Sequence, residues 1–212
     1  IYGYAVNETT GALTLLTGFP ISTGRSGAGF LASGQLTIDR TNQRLYVVND
    51  GSDTVSAYTI NAMTGALTSL PFSPISLGSG IWNGIAVHPS GSPLVVANSN
   101  GTLLSHRLTA TTANAVSNPA GGGNGVAFSQ NGNYVYTGGN NAILGFNVDV
   151  AIGALVPLAG SPFDSGNRFP GAFATDVMGR IFTANFFDGQ VRAFTTSNGI
   201  PTAVLGNPFT SS

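Results

Sequence analysis

Residues that could carry out acid–base or nucleophilic chemistry are few in this sequence. The chain of 212 residues has two histidines, eight aspartates and glutamates together, seven arginines, and neither lysine nor cysteine. The absence of lysine excludes a Schiff base and a phosphate-binding lysine, and the absence of cysteine excludes thiolate chemistry, disulfides and most structural zinc sites. The carboxylates are scattered among predicted turns, and no histidine has a partner at a metal-ligand spacing. We therefore expect no metal and no other cofactor.

Two arginines, the single tryptophan and two asparagines are the candidates for ligand binding. They lie in segments that interrupt an otherwise repetitive chain: Arg25 in 22–34, Trp82 and Asn83 in 76–84, Asn124 in 119–125, and Arg168 in 164–171. An arginine fork suits a carboxylate or a phosphate, whereas tryptophan beside asparagine suits a sugar face or another planar ring. The alternative is that Trp82 caps an apolar end of the fold and that the arginines only add solubility.

Both histidines have structural explanations. His88 belongs to the sequence His-Pro-Ser-Gly, which is typical of a turn, and His106 lies beside Arg107 in a predicted strand. Adjacent residues of a strand point to opposite faces. We interpret His88 as a turn residue and predict that His106 lies on the outer surface.

A repeat positions these residues. The segment Arg44–Ile75 predicts three short strands separated by turns, and the end of its first strand, Asn49, recurs at Asn98, Gly139 and Asn185, after steps of 49, 41 and 46 residues. A period in this range, with several short strands in each unit, is typical of a propeller or a solenoid.

One more predicted strand precedes each unit, which makes four strands in a repeat and favours a propeller blade. These preceding strands are Gln35–Asp39, Gly84–His88, Gly125–Ser129 and Gly171–Asp176. The expected fold class is all-β, a β-propeller of four-stranded antiparallel blades in one domain. We expect a half-blade at 1–21 and complete blades at about 34–75, 83–118, 124–163 and 171–209.

The repeated motifs resemble those of a known family. They are Ala86-Val87-His88-Pro89-Ser90-Gly91, Leu45-Tyr46-Val47-Val48-Asn49, Thr54-Val55-Ser56-Ala57-Tyr58, Thr64-Gly65-Ala66-Leu67-Thr68 and Ser161-Pro162-Phe163. Together they resemble the YVTN-repeat family of lactonase-like, seven-bladed β-propellers, whose blades are similar to WD40 repeats. The resemblance implies that the chain is part of a seven-bladed ring. An unpaired half-blade exposes strand edges, so pairing with a second copy of the chain is the alternative expectation.

The resemblance also implies an activity, the opening of a sugar lactone in the manner of a 6-phosphogluconolactonase. Such a reaction needs a general base and a cation for the developing oxyanion. Arg25 or Arg168 could be the cation, and His88, Asp164 or Asp176 the base. No residue of the sequence is singled out as that base, so we rank a binding or structural module ahead of a hydrolase.

Composition bears on partners and on compartment. Charged residues make up only 7% of the chain and the net charge is −1, against roughly a quarter charged residues in an ordinary soluble domain. Nucleic acid is therefore a poor candidate as a partner, and no apolar stretch approaches the length needed to cross a bilayer. We expect an extracellular, periplasmic or cell-surface protein that binds a protein or a glycan.

Overall fold

The computed structural model describes residues 1–26, 34–116, 121–166 and 169–210. These residues form strands and turns, with a single 3₁₀ turn at Asp50–Ser52. The strands in chain order are β1 Tyr4–Val6, β2 Leu13–Leu15, β3 Leu36–Ile38, β4 Arg44–Asn49, β5 Thr54–Ile60, β6 Leu67–Ser69, β7 Ile75–Ser76, β8 Trp82–Val87, β9 Leu94–Asn98, β10 Thr102–Leu108, β11 Ala113–Val116, β12 Val126–Phe128, β13 Tyr134–Gly139, β14 Ala142–Asp149, β15 Ala154–Pro157, β16 Phe163–Asp164, β17 Pro170–Thr175, β18 Ile181–Asn185, β19 Gln190–Ser197, β20 Ile200–Ala203 and β21 Phe209–Thr210.

The strands form antiparallel meanders, which confirms the predicted fold class. Strands β1 and β2 form sheet 1, β3 to β7 sheet 2, β8 to β11 sheet 3, β12 to β16 sheet 4, and β17 to β21 sheet 5. In sheets 2, 4 and 5 the last short strand, β7, β16 or β21, pairs with the third strand. The first strands β3, β8, β12 and β17 contact one another in that order. We call these the inner strands, the end where they begin the upper end, and the opposite end the lower end.

Apolar side chains pack between consecutive sheets. In β9, Leu94 and Val96 join the cluster shared with sheet 2, while Val95 and Ala97 join the cluster shared with sheet 4. All of β9 is buried. A strand covered on both faces has no polar face to alternate with, which explains the unbroken apolar run in the sequence.

The same packing corrects the prediction for His106. Leu104 and Leu108, which share its face of β10, pack into the cluster between sheets 2 and 3. His106 is 2% exposed and its Nδ1 has no hydrogen-bond partner among the described residues. The prediction of a surface position was wrong because both faces of the third strand, not only one, are covered by neighbouring sheets.

The lower ends of the inner strands are tied together across the fold. Arg40, after β3, donates from Nη2 to Oε1 of Gln130, after β12. Gln130 donates from Nε2 to the carbonyl of Thr175, 3.1 Å away at the end of β17. Sheet 3 lies between sheets 2 and 4 in the stacking order, so the first contact bypasses it. The inner strands therefore follow an arc rather than a straight stack.

Candidate functional site

Asparagines at the ends of second strands shape the loops of the upper end. Asn98 Oδ1 accepts hydrogen bonds from the backbone N–H groups of Asn100 at 2.8 Å and Ile81 at 3.2 Å. Asn185 Oδ1 accepts one from Phe187 N at 3.0 Å. These short side chains replace water as partners for turn N–H groups, so the repeat positions of asparagine fix where each loop leaves its sheet.

Trp82 is enclosed at the upper end of β8. It is 1% exposed, and its indole Nε1 donates to Asp53 Oδ1 at 3.1 Å and to the carbonyl of Gly78 at 3.0 Å. Its backbone N–H donates to Asp50 Oδ1 at 2.6 Å. With its only polar side-chain atom already bonded inside the protein, Trp82 offers a ligand neither a free donor nor an open ring face.

Asn83 and Asn124 occupy equivalent places on neighbouring inner strands and meet. Asn83 Nδ2 donates to Asn124 Oδ1 at 3.0 Å. Asn83 is 0% exposed, and its Oδ1 has no partner among the described residues. Asn124 is half-buried, and its Nδ2 makes no hydrogen bond within the described chain. Gly171 takes the equivalent place in sheet 5 and has no side chain to continue the contact. Asn124 Nδ2, which makes no hydrogen bond to the described residues, is therefore available to a ligand.

A cavity of about 550 Å³ opens beside Asn124, where the upper ends of sheets 3, 4 and 5 meet. Its described lining consists of Ser99, Asn124, Phe169, Gly171, Ala172, Ala184, Asn185, Phe186 and Phe187. None of these side chains is titratable. The described lining therefore offers apolar surface, amide and hydroxyl groups, and none of its residues is an acid, a base or a charged group.

Three phenylalanines form the wall of this cavity. The ring of Phe187 meets those of Phe169 and Phe186 edge to face, with centroids 5.3 Å apart in both pairs. Phe186 and Phe187 are 60% and 66% exposed. Phe169 has a φ of 53°, a left-handed conformation that is unfavourable for a bulky residue. Strained backbone and exposed aromatic rings at one place are features of binding sites.

The aromatic wall was missed by the sequence interpretation, although the sequence contained a signal. Phe186 and Phe187 follow Asn185, at the turn where the other repeats carry polar residues. A pair of large apolar residues in a turn is not explained by packing within a blade. Of the predicted ligand-binding residues that the structure describes, Asn124 lines the cavity, whereas Arg25, Trp82 and Asn83 are not in the described lining.

The predicted catalytic residues do not converge in the described structure. His88 and Asp176 lie at the lower end, where His88 is 5% exposed, and its Nδ1 and Nε2 lie 2.7 Å from Ser90 Oγ and 3.0 Å from the carbonyl of Gly132. Burial lowers the pKa of His88. Asp164 and Arg25 lie at the upper end, with no ion pair between them. Arg168 lies outside the described residues, so its role stays a prediction.

Metal binding finds no support in the described part of the chain. No group of three or more histidines, cysteines or carboxylates there could hold a metal ion. Nor does any helix there have the length and apolar character needed to span a membrane.

Solved structures show which fold this is. A protein of Lactobacillus plantarum superposes with a TM-score of 0.74 at 18% identity, over 96% of this chain and 63% of its own. A Bacteroides fragilis protein, provisionally assigned as a 6-phosphogluconolactonase, superposes with a TM-score of 0.70 at 15% identity, over 99% and 64%. The periplasmic gluconolactonase of Pseudomonas aeruginosa gives 0.67 at 16% identity, over 98% and 64%. This chain therefore has a β-propeller fold.

Sequence comparison adds no family to this fold. No family model matches the chain, and no curated protein matches it. Membership of the YVTN-repeat family therefore stays a prediction, as does a ring of seven blades. The chain spans less than two thirds of the length of the three solved propellers described above.

Proposed function

We propose that this β-propeller is a binding module whose site is the phenylalanine-walled cavity at its upper end, and that its ligand is the ring of a neutral sugar. The observation that carries the proposal is the lining of the cavity: three phenylalanines and the free amide of Asn124, with no titratable side chain among the described lining residues. A hydrolase would need a base or an activated water in this place.

The lining matches the two kinds of surface that a sugar presents. One face of a sugar ring carries C–H groups, which stack on aromatic rings, while its hydroxyls need hydrogen-bond partners. Phe186 and Phe187 supply the apolar surface, and Asn124 Nδ2 supplies a donor at its edge. A volume of about 550 Å³ lies within the range of small-molecule sites, so a mono- or disaccharide fits.

A glycan microarray followed by calorimetry tests the proposal. The array identifies the sugar, and calorimetric titration then compares the wild type with Phe187→Ala and Asn124→Ala. We expect each substitution to weaken affinity about fivefold or more, since a lost aromatic contact or hydrogen bond is worth about 1 kcal/mol or more. Phe209→Ala is the matched control, because Phe209 is 47% exposed on β21 and is not part of the lining.

Two results would contradict the binding proposal. One is an array without a binder, and the other is a sugar whose affinity is the same in Phe187→Ala and in the wild type. The second result would place the sugar elsewhere on the surface. Loss of binding in Phe209→Ala would show that the weaker affinity of Phe187→Ala does not locate the sugar in the cavity.

Hydrolysis of a sugar lactone is the second candidate, and the similarity to the gluconolactonase of Pseudomonas aeruginosa favours it. Asp164 and Arg25 at the upper end, together with Arg168, are the residues such a reaction would use. The test is the rate of gluconolactone opening above the spontaneous rate, compared between the wild type, Asp164→Asn and Arg168→Gln. Turnover that disappears in either variant, with folding intact, would replace the binding proposal.

We further propose that the protein works outside the cytoplasm. Its low content of charged residues and its lack of lysine support this location, and the similar propeller of Pseudomonas aeruginosa is periplasmic. Fractionation of the native cells, followed by immunoblotting of the culture medium and the soluble compartments, tests it. Recovery only with cytoplasmic markers would refute it.

A further inference from the structure

Arg192 differs from every other arginine in the described chain. It lies on β19 and is half-buried, yet its guanidinium makes no hydrogen bond or ion pair with any described residue, and its Nε is fully buried without a partner among them. Arg40, Arg44 and Arg180 all donate hydrogen bonds, and Arg25 and Arg107 are exposed to water. Arg192 is thus the described arginine whose charge is partly removed from water without compensation.

The position of Arg192 on its strand places it between sheets 4 and 5. Phe194, two residues further along β19, packs into the cluster between these sheets, so Arg192 faces sheet 4 as well. Its guanidinium lies against the backbone of Gly166, in the loop after β16. A Cβ added at Gly166 would lie 2.5 Å from Nη1 and 2.8 Å from Cζ of Arg192. Glycine at 166 therefore leaves the space that the guanidinium occupies.

A second unpartnered polar group lies opposite Arg192. Thr183 on β18 is its cross-strand partner in the antiparallel register. Thr183 is 1% exposed, and its Oγ1 has no partner among the described residues. Side chains directly opposite each other in such a pair have Cβ atoms about 5 Å apart. A guanidinium and a hydroxyl, neither of which has a hydrogen-bond partner among the described residues, therefore lie on one face of the sheet.

No described carboxylate neutralises this arginine. Asp164, in the same loop as Gly166, uses Oδ1 to accept the backbone N–H of Gly166 at 2.7 Å and forms no ion pair with a described residue. A charge partly withdrawn from water is costly without a counter-charge. A guanidinium has its donors in a planar fork that matches two oxygens of a carboxylate or a phosphate.

We propose that Arg192 and Thr183 form a binding site for an oxyanion between sheets 4 and 5. The anion is either free phosphate or the phosphate group of a larger ligand. Its oxygens accept hydrogen bonds from the Arg192 fork, and Thr183 Oγ1 adds a donor. This site is separate from the cavity, whose described lining contains neither residue, and it does not depend on the sugar-binding proposal.

Titration with phosphate tests the site directly. Sodium phosphate is added to the protein at constant ionic strength, and binding is followed by calorimetry and by the ¹H–¹⁵N resonance of Arg192 Nε. We expect saturable binding and a shift of that resonance in the wild type. Arg192→Gln should abolish the saturable binding, and Thr183→Val should weaken it several-fold. The control Arg107→Gln removes an exposed arginine on β10 and should leave binding unchanged.

Further arms separate the two sources of the anion and protect the test against misfolding. Glucose 6-phosphate that binds more tightly than phosphate, in the wild type but not in Arg192→Gln, identifies the anion as part of a larger ligand; equal affinities identify free phosphate. Arg192→Lys replaces Arg192→Gln in the test if the latter fails to fold. It keeps the positive charge but lacks the planar fork of donors, so its affinity for phosphate should be intermediate. Absence of saturable binding of both anions to the wild type, or equal binding by the Arg192 variants and the wild type, would overturn the proposal.

Discussion

Asn83 and Asn124, which are 41 residues apart in the chain, join two neighbouring inner strands through a hydrogen bond of 3.0 Å from Nδ2 to Oδ1. The bond uses one polar atom of each amide. Asn83 Oδ1 is left buried without a partner among the described residues, and Asn124 Nδ2 is left beside the cavity. The contact that holds two sheets together thus also orients the donor of the candidate binding site.

This relationship predicts strong coupling between the two asparagines. Asn124→Ala removes the partner of Asn83 and leaves a fully buried amide without any hydrogen bond, which costs about 1 to 3 kcal/mol. In the double variant Asn83→Ala/Asn124→Ala no such amide remains. We therefore expect the loss of unfolding free energy in the double variant to be smaller than the sum of the losses in the two single variants. The difference should be about 0.5 kcal/mol or more. Urea unfolding of all four proteins measures this difference.

The matched control for this cycle pairs Asn83→Ala with Asn114→Ala. Asn114 is exposed on β11, and its side chain donates only to Thr112 Oγ1. The free energies of unfolding of this pair should add. If the Asn83 and Asn124 variants are equally additive, the hydrogen bond does not contribute to stability.

The repeat is enough to predict the sheets, because the period depends on local properties. Each apolar run of four to six residues that ends in a turn residue is recognisable without knowledge of its neighbours. The strand Leu94–Asn98 illustrates this: its apolar sequence predicts burial, and all five of its residues are buried. The predicted all-β propeller fold follows from repeating such segments.

The site is harder to predict, because it depends on contacts between repeats. The hydrogen bond of Asn83, the cavity wall at Phe187 and the unpaired charge of Arg192 each involve residues from different blades or from loops that break the period. Neither periodicity nor spacing indicates which loops approach each other. The prediction that His106 lies on the surface was wrong for a related reason, since the sequence pattern within one strand does not reveal a neighbouring sheet on its second face.

His106 predicts a loss of stability in mild acid. Burial lowers its pKa from 6.5 to about 4, so the folded protein holds the ring neutral where the unfolded chain already binds a proton. The stability that depends on neutral His106 is complete above pH 6.5 and is lost as the pH falls toward 4. One pKa unit corresponds to about 1.4 kcal/mol, so the total loss is a few kcal/mol. Urea unfolding between pH 7.5 and pH 4 measures it.

The variant His106→Leu separates this effect from other titrations. It should be at least as stable as the wild type at pH 7.5, because it removes a buried nitrogen that has no partner among the described residues. It should also lose less stability on acidification. His88, whose pKa is lowered by burial, still contributes in the variant. Parallel pH profiles for the wild type and His106→Leu would show that His106 is not responsible.

Gly123 predicts a test of how closely the loop before β12 approaches β13 of the same sheet. A Cβ at position 123 would lie 1.1 Å from the carbonyl oxygen of Gly138, so backbone atoms would have to move. We expect Gly123→Ala to prevent folding, as measured by soluble yield and circular dichroism. Gly171→Ala is the control, because its Cβ would meet nothing closer than 3.8 Å. A folded Gly123→Ala protein would show that the loop before β12 can be displaced at little cost.

Phe169 predicts that the cavity wall is held at the expense of backbone strain. Its φ of 53° is left-handed, which costs a residue with a side chain about 1 to 2 kcal/mol relative to glycine. Phe169→Gly relieves this strain but removes a ring that is only partly buried, 38% exposed. The two effects oppose each other, so we expect the urea midpoint to change little while affinity for the sugar falls about tenfold.

Asn42→Gly, with a φ of 55° in an exposed turn at the lower end, is the control that relieves strain without touching the cavity. It should gain stability and bind the sugar normally. A Phe169→Gly protein that loses more than about 2 kcal/mol would behave like a core substitution, and unchanged sugar affinity would remove Phe169 from the site.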